Sequence, residues 1–287
     1  MRLSDYKLII SDLDGTLVAY SASEVSPLIC NAVRSLDRDG LHFTIATGRS
    51  WAQTKAIVRE LGVSTPVIVQ AGALVIDPVS EATLRVQPLR PEIEMQLREI
   101  LQVSGVDQFC LCESGVYYAT HITTSGGDWL YNFGEACSLV KEWTHQSPEA
   151  IKHLFIGSEI ELRHLARRIT QQIVPVPNLI LWPPDDHSKD WFLEVFDPSA
   201  SKGQALQWLA GRLGVNLDEV MAFGDSSNDL DMLRLAGTGV AIAGSAPEVL
   251  AAADFVTVGP AEEGIAKFLA EMAQSDPKLS WGGHGVA

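Results

Sequence analysis

The sequence predicts an α/β protein: a Rossmann-like three-layer core built on a parallel sheet, with a smaller α+β domain inserted into it. Two features point there. Near both ends of the chain, short aliphatic runs alternate with stretches of helical periodicity, as strand–helix–strand units require. Between residues 87 and 194 that rhythm gives way to a mixture of short strands and helices introduced by prolines. The core is therefore assigned to residues 1–86 and 195–287, and the insert to residues 87–194.

Taken in order, residues 8–10 (LII) are aliphatic and end at Ser11, which suits a strand buried on both faces. Leu28, Ile29, Ala32, Val33 and Leu36 recur at helical spacing, giving a helix over 25–39 that stops at Gly40. Residues 41–46 (LHFTIA) form a second strand, closed by Thr47, Gly48 and Arg49 and followed by a helix over 50–61. A third short strand covers 67–70, so that strand, helix, strand, helix, strand describes a parallel sheet with helices on its faces. ALVID and TLRVQ, on either side of Ser80, read as a hairpin, and Pro88 and Pro91 lead into a helix through Leu101. The insert carries strands over 109–112, 116–119, 151–156 and 179–182, with its clearest helix over 159–173. From Ser201 the outer pattern resumes: a helix to Leu213, a strand over 220–223, a helix over 230–235, strands over 240–242 and 255–258, and a last helix over 265–273. The Gly-rich tail from 275 to 287 reads as frayed.

Composition narrows the function classes. A chain of 287 residues with 46% apolar content can bury a substantial core. No apolar run approaches a membrane span, and the chain enters its first strand without a signal-like apolar region, so a cytoplasmic protein with no membrane partner is expected. Four cysteines are too few for a disulfide scaffold; Cys110 and Cys112 form a single C-x-C, read as buried thiols in preference to a zinc site. The formal charge of −15 argues against nucleic acid as a partner. An acidic chain that handles a phosphate must supply positive charge locally, which makes the few cations near the strand ends informative.

Open α/β sheets bind ligands beyond the carboxyl ends of their strands, so the residues at those ends carry the chemistry. The first strand delivers Asp12 and Asp14, which alternation places on the same side, with Gly15 letting the backbone turn away. Two neighbouring carboxylates resist joint ionisation; Mg²⁺ with hard oxygen ligands removes the conflict, while an ordinary acidic turn is the plain alternative. The second strand ends at Thr47, Gly48 and Arg49, and the VMAF strand at Gly224 and Asp225 with Asn228 and Asp229 just beyond. Lys202 opens a helix, where a solvated lysine would be the ordinary reading; its lead-in by Pro198 and its place in the order of these stretches favour a role in the site. Acids, a hydroxyl and a lysine at separate element ends form a metal and phosphate site. The tryptophans at 129, 143, 182 and 191 could stack on a sugar or base, but core packing is preferred, and His121, His145, His153, His164 and His187 receive no catalytic role.

Four stretches in this order, DLDGT (12–16), ATGR (46–49), Ser201-Lys202-Gly203 and GDSSNDLDML (224–233), resemble the haloacid dehalogenase superfamily, and within it the Cof-type phosphatases with a C2B-type α/β cap. The resemblance implies that Asp12 is a nucleophile forming an aspartyl phosphate and that Asp14 is the general acid and base. It implies Mg²⁺ held by Asp12, Asp225 and the main-chain carbonyl of Asp14, with Asp229 acting through a water. Phosphate oxygens would be met by Thr47, the amides of Gly48 and Leu13, Lys202 and Asn228, whereas Arg49 is either a phosphate-side group or a structural ion-pair partner. Two departures stand out: Gln70-Ala71-Gly72-Ala73 where such proteins usually have Asn-Gly-Ala, and Ser245-Ala246-Pro247, which lacks a common asparagine. The expected activity is Mg²⁺-dependent hydrolysis of a small phosphorylated metabolite, sugar phosphates being favoured, with the cap closing over the substrate and selecting it, in a monomer or weak homodimer. A sugar phosphomutase using the same aspartyl phosphate is the alternative.

Overall fold

The computed structural model describes the chain except for residues 1, 21, 23, 39, 101–105, 114, 142–148, 185–188 and 279–287. Most of the Gly-rich tail, Leu101, Trp143, His145 and His187 therefore lie outside the described residues. Two compact units emerge, Met1–Arg85 with Ser201–Ala287, and Val86–Ala200.

The first unit opens with β1 (Leu8–Ser11), α1 (Pro27–Arg38), β2 (His42–Ile45) and α2 (Trp51–Leu61). β1 is buried at every position, as its unbroken aliphatic run requires. α2 begins in a capping box, with the Gln53 amide donating to Ser50 Oγ at 3.2 Å and the Ser50 amide donating to Gln53 Oε1 at 2.8 Å; it ends at Gly62, whose φ of 76° closes the last turn.

β3 (Val67–Val69) departs from the expected continuation of the parallel sheet. It meets the residue after β2 through a parallel bridge between Ala46 and Ile68, but its ladder is antiparallel, to β4 (Leu74–Ile76), and β5 (Thr83–Val86) completes a separate three-stranded sheet. Only Gln70 to Ala73 separate β3 from β4. A connection that short cannot cross over to a parallel neighbour, so the chain turns back on itself.

The second unit runs through α3 (Pro91–Ile100), β6 (Asp107–Cys112), β7 (Tyr117–Ala119), α4 (Thr124–Phe133), β8 (Cys137–Leu139), β9 (Ala150–Gly157), α5 (Glu159–Gln172), β10 (Asn178–Trp182) and β11 (Trp191–Phe196). Its six-stranded sheet has the order β10-β11-β9-β6-β7-β8. On one face Phe155 packs with Leu97 of α3 and Leu165 of α5; on the other Leu154 and Ile156 join Phe109, Tyr117 and Trp129. The unit ends at Ala200 rather than at 194, because β11 is an interior strand paired with both β9 and β10 and cannot be divided between units. Trp129 is core, 5.4 Å from Phe109 and 5.1 Å from Tyr117 between ring centres. Trp182 donates to Glu194 at 2.9 Å, and the Arg163 guanidinium lies 5.2 Å over Trp191. His121 and His164 are exposed, and His153 is buried against Glu94 at 2.5 Å. None of the four cysteines is in a disulfide.

The first unit then resumes with α6 (Lys202–Leu213), β12 (Val220–Gly224), α7 (Leu230–Leu235), β13 (Thr238–Ile242), α8 (Pro247–Leu250), β14 (Phe255–Thr257) and α9 (Gly264–Gln274). Its parallel sheet has the order β14-β13-β12-β1-β2. Side-chain alternation sends Leu8, Ile10 and Ala222 into a cluster with Leu206 and Leu209 of α6 and Met232 of α7, while Phe223 meets Phe268 of α9 edge-on at 5.7 Å. Helices thus cover both faces, which gives three layers. Register sets the function: Ser11 pairs with both Phe223 and Ile45, so the residues following these three strand positions lie at one rim. No helix among the described residues is long and apolar enough to cross a membrane.

Candidate active site

The rim brings Asp12, Thr47 and Asp225 together. The Asp12 amide donates to Phe223 O and the Ala46 amide to Ser11 O, each at 2.9 Å, so strand pairing continues up to the point where the carboxylates begin. Lys202, first residue of α6, is buried, and its ammonium donates to Asp12 Oδ1 and to Asp229 Oδ1 at 2.6 Å each. The other oxygen of Asp229 accepts the amides of Asp225 at 3.1 Å and Ser226 at 3.0 Å. Asp229 is therefore held from both sides, by the lysine and by the turn it closes.

Charge at this rim is unbalanced. Burial pushes the Asp12 carboxyl well above its ordinary pKa, Asp229 adds to the rise, and Lys202 opposes it. Burial also raises Asp225, against the hydrogen bonds from Tyr20 and Thr16. Burial alone would lower Lys202, but Asp12 and Asp229 outweigh it and keep the ammonium charged. One cation faces three carboxylates. Asp12, Asp225 and Asp229 each offer one oxygen, all within 4.8 Å of one another. Oxygens on opposite sides of an octahedral Mg²⁺ lie roughly 4 Å apart, so the cluster has the size and the surplus negative charge that fit a small divalent cation.

Asp14 has a different partner. Arg49 grips it through two parallel contacts, Nε to Oδ2 at 2.9 Å and Nη2 to Oδ1 at 2.5 Å, and Nη2 also donates to Ala22 O at 2.9 Å. Of the two readings of Arg49, the geometry here is that of an ion-pair partner, and the planar fork fixes the orientation of Asp14. Thr47 is fully buried and its Oγ1 accepts the Arg49 amide at 3.1 Å, with half-buried Gly48 between them. Leu13 is buried, its carbonyl accepting the Leu17 and Val18 amides at 2.9 Å. Asn228 lies in the turn after β12, where its Oδ1 accepts from Ser226 Oγ at 2.6 Å.

Two groups beside Asp225 are given no role by the sequence. Thr16 Oγ1 donates to Asp225 Oδ1 at 2.9 Å, and Tyr20 donates its phenol to Asp225 Oδ2. Thr16 could have been found as the last residue of DLDGT, but nothing in the sequence marks Tyr20. The turn that departs from Asn-Gly-Ala also borders the site. Gln70, Ala71 and Gly72 have φ of 50°, 53° and 98°, a run of left-handed residues with backbone hydrogen bonds from Gln70 to Arg49 O and from Ala71 to Thr47 O. Gln70 Oε1 is buried without a hydrogen-bond partner, and a Cβ on Gly72 would stand 2.1 Å from the Ser201 carbonyl oxygen. This strained turn wedges the Thr47 loop against the start of α6.

With this geometry in place, comparison with known proteins decides the family. The model of haloacid dehalogenase-like hydrolases matches residues 9–269. The chain belongs to that family. Among the relatives of this hydrolase, phosphatase YwpJ of Bacillus subtilis is 29% identical over 294 residues, covering 92% of this chain and 98% of its own. The 5-amino-6-(5-phospho-D-ribitylamino)uracil phosphatase YitU of the same organism is 26% identical over 92% of this chain and 96% of its own. Among solved structures, the subclass IIB sugar phosphatase BT4131 superposes with a TM-score of 0.75 at 24% identity, covering 92% of this chain and 98% of that one, and so shares the fold. The expectation of a phosphatase enzyme stands on this kinship.

Proposed function

We propose that this hydrolase is a Mg²⁺-dependent phosphatase of small phosphomonoesters, sugar phosphates foremost, working through a phosphorylated Asp12. The observation that carries the reading is Lys202 bound between Asp12 and Asp229 inside a three-carboxylate cluster, an arrangement unfavourable in a buried place unless it serves a cation and an anionic substrate. Asp12, Asp225 and the Asp14 main-chain carbonyl would hold the metal, with Asp229 acting through a water. When bound, the metal supplies positive charge against the phosphoryl oxygens and lets two anions approach.

The chain's own residues do the rest. An Asp12 oxygen attacks phosphorus as the ester P–O bond breaks, and Asp14 gives a proton to the departing oxygen. Asp14 then takes a proton from water, whose oxygen attacks the same phosphorus; the bond to Asp12 breaks, and inorganic phosphate leaves. Arg49 orients Asp14 and releases one of its oxygens when Asp14 carries the proton, while Lys202, Thr47, the amides of Gly48 and Leu13, and Asn228 meet the phosphoryl oxygens. The leaving group is chosen outside this constellation, and the inserted unit, Val86–Ala200, is proposed as the specificity domain. We place the enzyme in the cytoplasm, in keeping with four cysteines outside any disulfide.

Release of inorganic phosphate from a panel of phosphate esters, with EDTA and then with excess Mg²⁺, tests the reading. Phosphate release that EDTA stops and Mg²⁺ restores is expected; chelator-resistant release would remove the metal, and accumulation of an isomeric sugar phosphate instead of inorganic phosphate would point to a mutase.

A further inference from the structure

Tyr20 lies outside every motif of the site, yet its phenol reaches a proposed metal ligand. Its hydroxyl donates to Asp225 Oδ2 while Thr16 Oγ1 donates to Oδ1 at 2.9 Å, so both oxygens of the carboxylate are oriented. The approach depends on Gly15. Its φ is 78°, and a Cβ there would stand 2.5 Å from Asp225 Oδ2 and 2.7 Å from the Tyr20 ring, so the missing side chain makes room for carboxylate and phenol together. The loop is tied down on both sides of Tyr20: the Gly15 amide donates to Val18 O at 2.8 Å, the Ala22 amide to Ala19 O at 3.0 Å, and Arg49 holds Ala22 O at 2.9 Å.

We propose that Tyr20 is a positioning residue for the cation, its hydroxyl fixing Asp225 in the orientation that presents a carboxylate oxygen to Mg²⁺. The inference rests on the Mg²⁺ reading above. A carboxylate oxygen has two lone pairs and can accept the phenol while it ligates a metal. Hydrogen-bond partners of metal ligands are worth about 10–100-fold in metal affinity when removed. Tyr20 is 63% exposed, so water can replace part of its bond, and the loss belongs at the lower end, about 10-fold.

Tyr20→Phe removes the hydroxyl and keeps the ring on Gly15. Mg²⁺ titrated calorimetrically into the full-length protein without substrate is expected to bind the variant about 10-fold more weakly than the wild type. Equal melting temperatures in EDTA are expected beside it, which separates positioning from a loss of folding, and saturating Mg²⁺ should restore kcat. Equal or tighter Mg²⁺ binding by the variant would overturn the inference while leaving the Mg²⁺ reading intact. A wild-type protein that binds no Mg²⁺ would overturn both.

Discussion

Replacing Lys202 with methionine probes the electrostatic balance of the site directly. The ammonium sits 2.6 Å from Asp12 and 2.6 Å from Asp229, both buried. Without it two carboxylates remain in a poorly solvated place, and removing one partner of a buried ion pair costs about 3–5 kcal/mol. At roughly 2–4 °C per kcal/mol for a chain of this size, the melting temperature should fall by about 6–20 °C. The pH dependence has a definite sign. Because Asp12 titrates above its ordinary 3.8 when folded, the folded state holds the extra proton between that value and its raised one, and stability falls as pH rises through this window. Lys202 titrates above its ordinary 10.5, so its contribution is complete below 10.5 and is lost only as pH rises through the still higher folded value. The methionine variant loses that contribution and widens the Asp12 window, so its deficit grows as pH rises through that window and shrinks as pH falls back toward 3.8. Urea denaturation of both proteins in EDTA across that range measures it. A deficit under about 1 kcal/mol at neutrality, or one that does not shrink on acidification, would refute the reasoning.

Three further substitutions have defined outcomes. Asp12→Asn should lower turnover by about 10³-fold or more while raising or preserving the melting temperature in EDTA, since it removes one of the crowded charges; steady-state kinetics and calorimetry read the two effects. Arg49→Lys keeps the charge but not the fork that grips Asp14, so kcat should fall by about 10-fold or more with a changed pH–rate profile and little change in Mg²⁺ affinity. Gly72→Ala forces a Cβ to 2.1 Å from Ser201 O at a φ of 98°, and denaturation should show a loss of more than about 1 kcal/mol.

Much of the rim was legible because local chemistry and tertiary placement agree there. An aliphatic run before Asp12 makes β1, Ser50 and Gly62 bound α2 by their own capping, and Asp12, Thr47 and Asp225 need only parallel register to meet. Elements set by distant partners were not legible. α4 starts Thr124-Ser125-Gly126-Gly127, a poor helical opening; its first amides are satisfied by Asp107 of β6, which accepts from the Thr123 and Gly126 amides at 2.8 and 2.9 Å. β11 is a nearly continuous apolar run whose place inside the second sheet decides the unit boundary, and one strand's sequence does not name its neighbours. The left-handed turn at Gln70 and Ala71 uses residues that carry no such preference, so their amide bonds to Arg49 O and Thr47 O and the close approach of Gly72 to Ser201 must impose it. Tyr20 belongs to the same class, since its importance comes from where Gly15 lets it stand.

The most direct test is to stop the enzyme with acid during turnover of a good phosphate ester and map the modified peptide by mass spectrometry. One phosphoryl group on Asp12, absent from Asp12→Asn and formed only with Mg²⁺ present, is the expected result. Full turnover with Asp12 never modified, or a phosphoryl group carried by another residue, would contradict it.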